Sequence, residues 1–161
     1  MSQTTIRVSI ANQQLELLDG DDVVFQATVS TALNGAGEMA GSECTPRGRH
    51  VIRAMIGQGC EAGTVFVARR PTGEIYSEGL QQQQPGRDWI LTRILWLSGC
   101  EPGKNRFGNV DTMRRYIYIH GCPDSMKMGV ADSHGCIRMR NTDVIQLFDL
   151  VTNDTEVVIE E

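Results

Sequence analysis

Apolar residues near the start of this chain recur at every second position, not at every third or fourth. Ile6, Val8 and Ile10 alternate with Arg7 and Ser9. Successive side chains of an extended strand point to opposite faces, so this spacing specifies a half-buried strand and excludes an amphipathic helix there. Leu15-Glu16-Leu17 continues the pattern, Asp19-Gly20-Asp21-Asp22 supplies turn chemistry, and an apolar run over 23–29 follows. A β-meander therefore opens the chain. Glycines 35, 37, 41 and 48 with Pro46 make 34–50 a long loop, and 50–56 and 64–68 read as short strands. The apolar, β-prone stretch 89–97 reads as a buried strand, and 116–119 as a central strand running directly into His120. Residues 79–86, with four glutamines and a Pro-Gly pair, and 100–109, with Pro102, read as surface loops.

Helical periodicity occurs once. Val144, Leu147, Phe148 and Val151 fall at i, i+3, i+4 and i+7, one face of an amphipathic helix. Asn141 or Thr142 is the expected cap, with Asp143 in the first turn. Residues 156–159 then form a closing strand. The expected architecture is mainly β with one carboxy-terminal helix, and residues 1–161 form a single domain.

Charge and cysteine content narrow the function classes. The chain has 15 basic and 20 acidic residues, a net charge of −5, so no general phosphate-binding surface is implied and nucleic acid is not an expected partner. No apolar run approaches the ~18 residues of a membrane-spanning helix, so no membrane partner is expected. The segment Met1 to Arg7 lacks the basic start and apolar stretch of a secretory signal, which gives a cytoplasmic expectation. Loss of an export signal upstream would make it periplasmic or wall-facing. Five cysteines, at 44, 60, 100, 122 and 136, include no Cys-x-x-Cys pair. Free thiols are the expectation, and a specialised one is catalytic or metal-binding rather than structural.

Two of the three histidines adjoin a glycine in a thiol-containing segment. His50 does not, and reads as a surface or strand-edge residue without function. The segments are His120-Gly121-Cys122-Pro123 and Ser133-His134-Gly135-Cys136-Ile137-Arg138-Met139-Arg140-Asn141. A cysteine nucleophile requires a thiolate, favoured by a nearby imidazolium or by backbone amides aimed at the sulfur. Gly135, immediately before Cys136, admits a substrate backbone. Successive amides of such a turn form a nest for an oxyanion. His120, at the end of a central strand, can reach Cys136 as its base.

His120-Gly121, twelve intervening residues, then Ser133-His134-Gly135-Cys136-Ile137-Arg138 resembles the signature of the YkuD-type L,D-transpeptidases. Thr45-Pro46-Arg47-Gly48 is similar to their Thr-Pro-x-Gly turn, and the likeness runs from about Ile6 to Ile159. The resemblance implies a β-sandwich with long loops around a cysteine active site. It also implies acyl transfer on peptidoglycan stem tetrapeptides or muropeptides, with no cofactor or metal. Cys136 would be the nucleophile and His120 the proton acceptor and donor, its ring oriented by the Gly121 carbonyl. Amides around His134, Gly135 and Cys136 would form the oxyanion hole. Ser133 and Arg138 are placed in substrate binding, Arg138 on a carboxylate, with loop support the alternative for each. Asn141 fits the motif and, equally, a helix cap. Water as acceptor gives an L,D-carboxypeptidase, the outcome favoured in a cytosolic setting, and an amine gives a transpeptidase.

One departure is Cys122, where the family commonly carries Thr, which is expected to place a second thiol near Cys136 and raises a redox question. Two readings of other classes compete. His120, Cys122, His134 and Cys136 together are the ligand set of a tetrahedral zinc centre, and a catalytically inactive relative would be a muropeptide-binding module.

Overall fold

The computed structural model describes residues 3–161; Met1 and Ser2, part of the segment read for an export signal, lie outside the described residues. The predicted meander is β1 (Thr4–Ser9), β2 (Gln14–Asp19) and β3 (Asp22–Ser30), paired antiparallel in that order. Ile6, Val8, Leu15 and Leu17 all turn inward and are fully buried, as period-2 alternation requires.

β4 (Gly48–Ile56), β7 (Ile90–Gly99) and β10 (Glu156–Glu160) close the structure. β10 lies parallel to β1 on one side and antiparallel to β4 on the other. β4 pairs in turn with β7. With β8 (Tyr118–Gly121) and β9 (Ile137–Met139), the order β4-β10-β1-β2-β3-β9-β8-β7 returns to β4, so eight strands form a closed, barrel-like sandwich. β5 (Thr64–Val67) and β6 (Arg70–Ile75) form a hairpin that extends the sheet beyond β7. Closure leaves most strand edges paired and the inward faces in one shared core.

α2 (Asn141–Leu150) is the predicted amphipathic helix, and buries Val144, Leu147 and Phe148 in the same core. The stretch expected as a loop at 79–86 instead begins as a second, six-residue helix, α1 (Glu78–Gln83). The Ser77 hydroxyl caps it by accepting from the Leu80 amide at 3.0 Å. It buries none of its residues, so it leaves no hydrophobic periodicity in the sequence. Among the described residues no helix is long and apolar enough to cross a membrane.

His50 corrects its sequence reading. β4 is flanked on both sides, so the ring is fully buried rather than at an edge. Its Nδ1 lies 3.1 Å from the Gly48 carbonyl and its Nε2 3.0 Å from the Thr112 hydroxyl. A carbonyl only accepts, so Nδ1 carries the proton and Nε2 accepts from Thr112. Burial holds the imidazole down at about 4 against the opposing Gly48 carbonyl.

Candidate active site

β8 and β9 run parallel with Ile119 opposite Ile137 and His120 opposite Arg138. Cys136 immediately precedes β9, two residues from Arg138, and so shares its face. His120, Cys136 and Arg138 all line one cleft of about 460 Å³. The segment joining the two strands is irregular and carries the Ser-His-Gly-Cys turn.

His120 is buried, with Nδ1 2.6 Å from the Gly121 carbonyl. That carbonyl can only accept, so it fixes the proton on Nδ1 and leaves Nε2 with a free lone pair. Gly121 has no room for a side chain. A Cβ there would stand 2.7 Å from the Leu91 carbonyl oxygen and against the Asn141 side-chain oxygen.

The half-buried Cys136 sulfur accepts from the Tyr118 amide at 3.3 Å, and its thiol donates to the Tyr116 carbonyl at 3.4 Å. Burial pushes the thiol up to about 12, only partly countered by the Tyr118 N–H. Burial likewise holds His120 below the ordinary histidine value, with the Gly121 carbonyl opposing. Burial thus raises the thiol and lowers the imidazole, and both directions favour the neutral forms of the two groups that line the cleft. The dry site of His120 disfavours the imidazolium that would hold a thiolate.

The turn before Cys136 is held by side chains on both sides. Ser133 Oγ donates to the Cys136 carbonyl at 2.6 Å and accepts from the Gly135 amide at 3.2 Å. The Thr45 hydroxyl, from the Thr-Pro-Arg-Gly segment, donates to the Gly135 carbonyl at 2.9 Å. Gly135 adopts φ +132, where a Cβ would meet Ile117 at 3.0 Å and the Cys44 carbonyl at 3.2 Å. Glycine is thus a backbone requirement here. Of the three amides expected around an oxyanion, that of Gly135 is taken by Ser133. Among the described residues the His134 and Cys136 N–H groups have no acceptor. The Ser133 hydroxyl is spent within the turn, and the His134 ring stands exposed at the cleft.

Arg138 is buried, its guanidinium 3.5 Å from an Asp88 oxygen and 3.8 Å from an Asp132 oxygen. Arg115 ties the long loop over the site by donating to the carbonyls of Gly37 at 3.2 Å and Cys44 at 2.6 Å. Arg69, Asp88, Arg115, Tyr116 and Tyr118 also line the cleft and carry no motif. Only the tyrosines had a usable signal, since positions 116 and 118 precede His120 at the period of a strand face. The chain is acidic overall, yet this cleft presents three arginines against Asp88.

The remaining candidates lie elsewhere. Cys122 is buried off the cleft, donating to the Met139 carbonyl at 3.3 Å with its sulfur 3.9 Å from that of Met128. Burial pushes its thiol up to about 11. All five cysteines are free thiols. Among the described residues no three or more His, Cys, Asp or Glu side chains converge as a metal shell, so His120, Cys122, His134 and Cys136 do not form the zinc centre considered from sequence. Asn141 is the first residue of α2, not its cap. Arg140, leaving β9 in extended conformation, occupies the cap position without a side-chain bond. Asn141 instead accepts from the Thr92 hydroxyl at 2.5 Å and donates to the Cys122 carbonyl at 3.0 Å.

Comparison with known proteins gives one consistent likeness. The family model for the YkuD L,D-transpeptidase catalytic domain matches residues 3–159. The YkuD protein of Bacillus subtilis strain 168 is 37% identical over 94 residues, covering 58% of this chain and 47% of that protein. An L,D-transpeptidase structure from Mycobacterium smegmatis superposes with a TM-score of 0.64 at 15% identity, over 99% of this chain and 59% of that one. L,D-transpeptidase 3 from Mycobacterium tuberculosis, solved with a faropenem-derived adduct, gives 0.58 at 14% identity, over 99% and 61%. The chain thus spans about half of the curated relative and about three-fifths of each solved structure.

Proposed function

This chain belongs to the YkuD family of L,D-transpeptidase catalytic domains, and on that premise we propose that it acts on peptidoglycan stem tetrapeptides through an acyl-thioester on Cys136. The observation that carries this reading is the placing of Cys136 and His120 on one cleft, with Nδ1 of His120 fixed by the Gly121 carbonyl at 2.6 Å. That arrangement leaves Nε2 of the base unprotonated and a thiol with a proton to give.

The sulfur attacks the carbonyl of the diamino acid at position three. As the S–C bond forms, the thiol proton passes to Nε2 of His120. The free amides of His134 and Cys136 receive the negative charge on the carbonyl oxygen. Collapse breaks the C–N bond to the terminal D-Ala, whose nitrogen takes the proton from His120. Water or an amine then attacks the thioester, giving tripeptide or a new amide bond. Both outcomes share the acylation step for which these groups are arranged. Hydrolysis is our reading wherever no amine is held beside the thioester, because positioning an acceptor is worth several kcal/mol.

The test is to incubate the protein with disaccharide-tetrapeptide, with and without a millimolar amine acceptor, and to follow the products by mass spectrometry. Release of D-Ala is expected from the wild type and is abolished in Cys136→Ala. His120→Ala should lose about 10²–10⁴-fold. Cys44→Ala, Cys60→Ala and Cys100→Ala should stay near wild type. A faropenem adduct should form on the wild type and be missing from Cys136→Ala. The absence of both turnover and adduct in the wild type would overturn the reading, and cross-linked or exchanged peptide as the main product would overturn hydrolysis as the default.

A further inference from the structure

The Thr-Pro-Arg-Gly segment at 45–48 carries no group that the reaction above uses. Its first residue, Thr45, is fully buried and is not among the residues lining the cleft, so it offers substrate no contact. Every polar group of Thr45 nevertheless has a fixed partner. Its amide donates to the Gly35 carbonyl and its carbonyl accepts from the Gly37 amide, both at 2.9 Å. Its hydroxyl accepts from the Ala32 amide at 3.0 Å, which leaves the hydroxyl proton for the Gly135 carbonyl at 2.9 Å. Pro46 disfavours helical backbone at the residue before it. Arg115, donating to the Cys44 carbonyl at 2.6 Å, clamps the preceding peptide. The hydroxyl thus reaches Gly135 from a position with little freedom of its own.

A trans peptide is planar, with its C=O and N–H pointing in opposite directions, and the described residues include no cis bond. The Gly135 carbonyl and the Cys136 N–H belong to one such unit. Once Thr45 holds the carbonyl against the loop, the N–H must face away from the loop. Ser133 fixes the units on either side, through the Gly135 amide and the Cys136 carbonyl, but does not bond this one. Among the described residues the Cys136 N–H has no acceptor, and Cys136 lines the cleft. The direction of that amide therefore depends on Thr45.

We propose that Thr45 is a positioning residue for acyl transfer: from behind the turn, its hydroxyl aims the Cys136 amide at the oxygen that becomes negative when the sulfur attacks. This rests on the acyl-transfer reading above. The role is confined to steps in which an oxyanion forms. A preorganised donor stabilises charge developing on a carbonyl oxygen, whereas alkylation of the same sulfur by iodoacetamide expels iodide and forms no oxyanion.

The experiment compares the wild type with Thr45→Val and Thr45→Ser in two assays. One is D-Ala release from disaccharide-tetrapeptide, and the other is alkylation of Cys136 by iodoacetamide at one fixed pH, read on the Cys136 peptide by mass spectrometry. Thr45→Val keeps the shape and removes the hydroxyl, and should lower kcat for D-Ala release about 10- to 100-fold. KM should stay near the wild-type value because the residue touches no substrate, and alkylation should stay within about twofold. Thr45→Ser returns the hydroxyl and should restore most of kcat. If Thr45→Val does not fold, Thr45→Ala decides. A water can occupy the vacated place but lacks the loop's fixed direction, so kcat should still fall about tenfold with alkylation unchanged. Alkylation that falls in step with D-Ala release would overturn the inference, because it marks a displaced sulfur rather than a misaimed amide. So would a wild-type kcat in the folded variant. A wild type that releases no D-Ala overturns the acyl-transfer reading itself, and this inference falls with it.

Discussion

A thiol raised by burial and an imidazole lowered by it, lining one cleft, give Cys136 and His120 a pH behaviour unlike that of a preformed ion pair. With the thiol pushed up to about 12, almost no thiolate is stored at neutral pH, and the proton must leave as the sulfur attacks. Alkylation of Cys136 by iodoacetamide should rise continuously from about pH 6 to about pH 9. An ion pair would instead give a plateau on the acid side, and that plateau would refute the neutral resting state. His120 must be unprotonated to accept, and burial depresses its affinity for protons. The acid limb of kcat/KM should therefore lie below the ordinary histidine value of about 6.5. An acid limb displaced above that value would mean that His120 is not the group being titrated.

At the scale of elements, an irregularity in β7 positions the base. Thr92 adopts φ +77, an uncommon conformation for a β-branched residue, where the pairing of β7 with β8 shifts register between Leu91 and Ile94. Its hydroxyl donates to Asn141 at the start of α2 and accepts from the Gly63 amide at 3.0 Å. Asn141 in turn holds the Cys122 carbonyl, one residue beyond Gly121. Three elements thus meet where the Gly121 carbonyl orients His120. Asn141→Ala leaves the Thr92 hydroxyl and the Cys122 carbonyl without their partner, and should cost about 1–3 kcal/mol in urea unfolding. D-Ala release should fall by about tenfold as the β8 end loosens. Wild-type turnover in a measurably destabilised Asn141→Ala protein would show that strand pairing alone holds Gly121.

The same elements explain what the sequence could disclose. Alternation marks β1 to β3 because each presents one face to a core, and the spacing of Val144, Leu147 and Phe148 marks α2 for the same reason. Helix α1 is invisible because it buries nothing. Asn141 passes for a cap because a cap and a cross-element amide draw on the same residue type. Cys136, His120 and Gly121 are legible because their segments are short and framed by glycine. Arg69 is not, because a hairpin from elsewhere in the chain delivers it to the cleft with no local pattern around it.

Closure of the barrel is a property of the whole molecule, and it decides the fate of His50. β4 joins β10 to β7, so a ring that looks peripheral in the sequence becomes an interior group of the closed sheet. Its Nε2 accepts from Thr112, whose amide donates to the Asn105 carbonyl at 2.9 Å. The seam is thereby tied to the loop that follows β7. Folding holds this imidazole at about 4, whereas in the unfolded chain it returns to about 6.5. Between those values the unfolded state binds more protons than the folded one, so stability rises with pH. The contribution is fully present above about 6.5 and is progressively lost as pH falls through 4. A difference of that size corresponds to about 3 kcal/mol for this one buried group. Burial depresses His120 in the same direction and adds to the slope. Urea titrations of the wild type at pH 7.5 and pH 4.5 should show a fall in midpoint with little change in m-value. His50→Gln cannot be charged, so its stability should be lower at pH 7.5 but much less sensitive to acid. If His50→Gln keeps the full pH slope of the wild type, the acid sensitivity arises elsewhere in the molecule and the buried seam histidine is not its source.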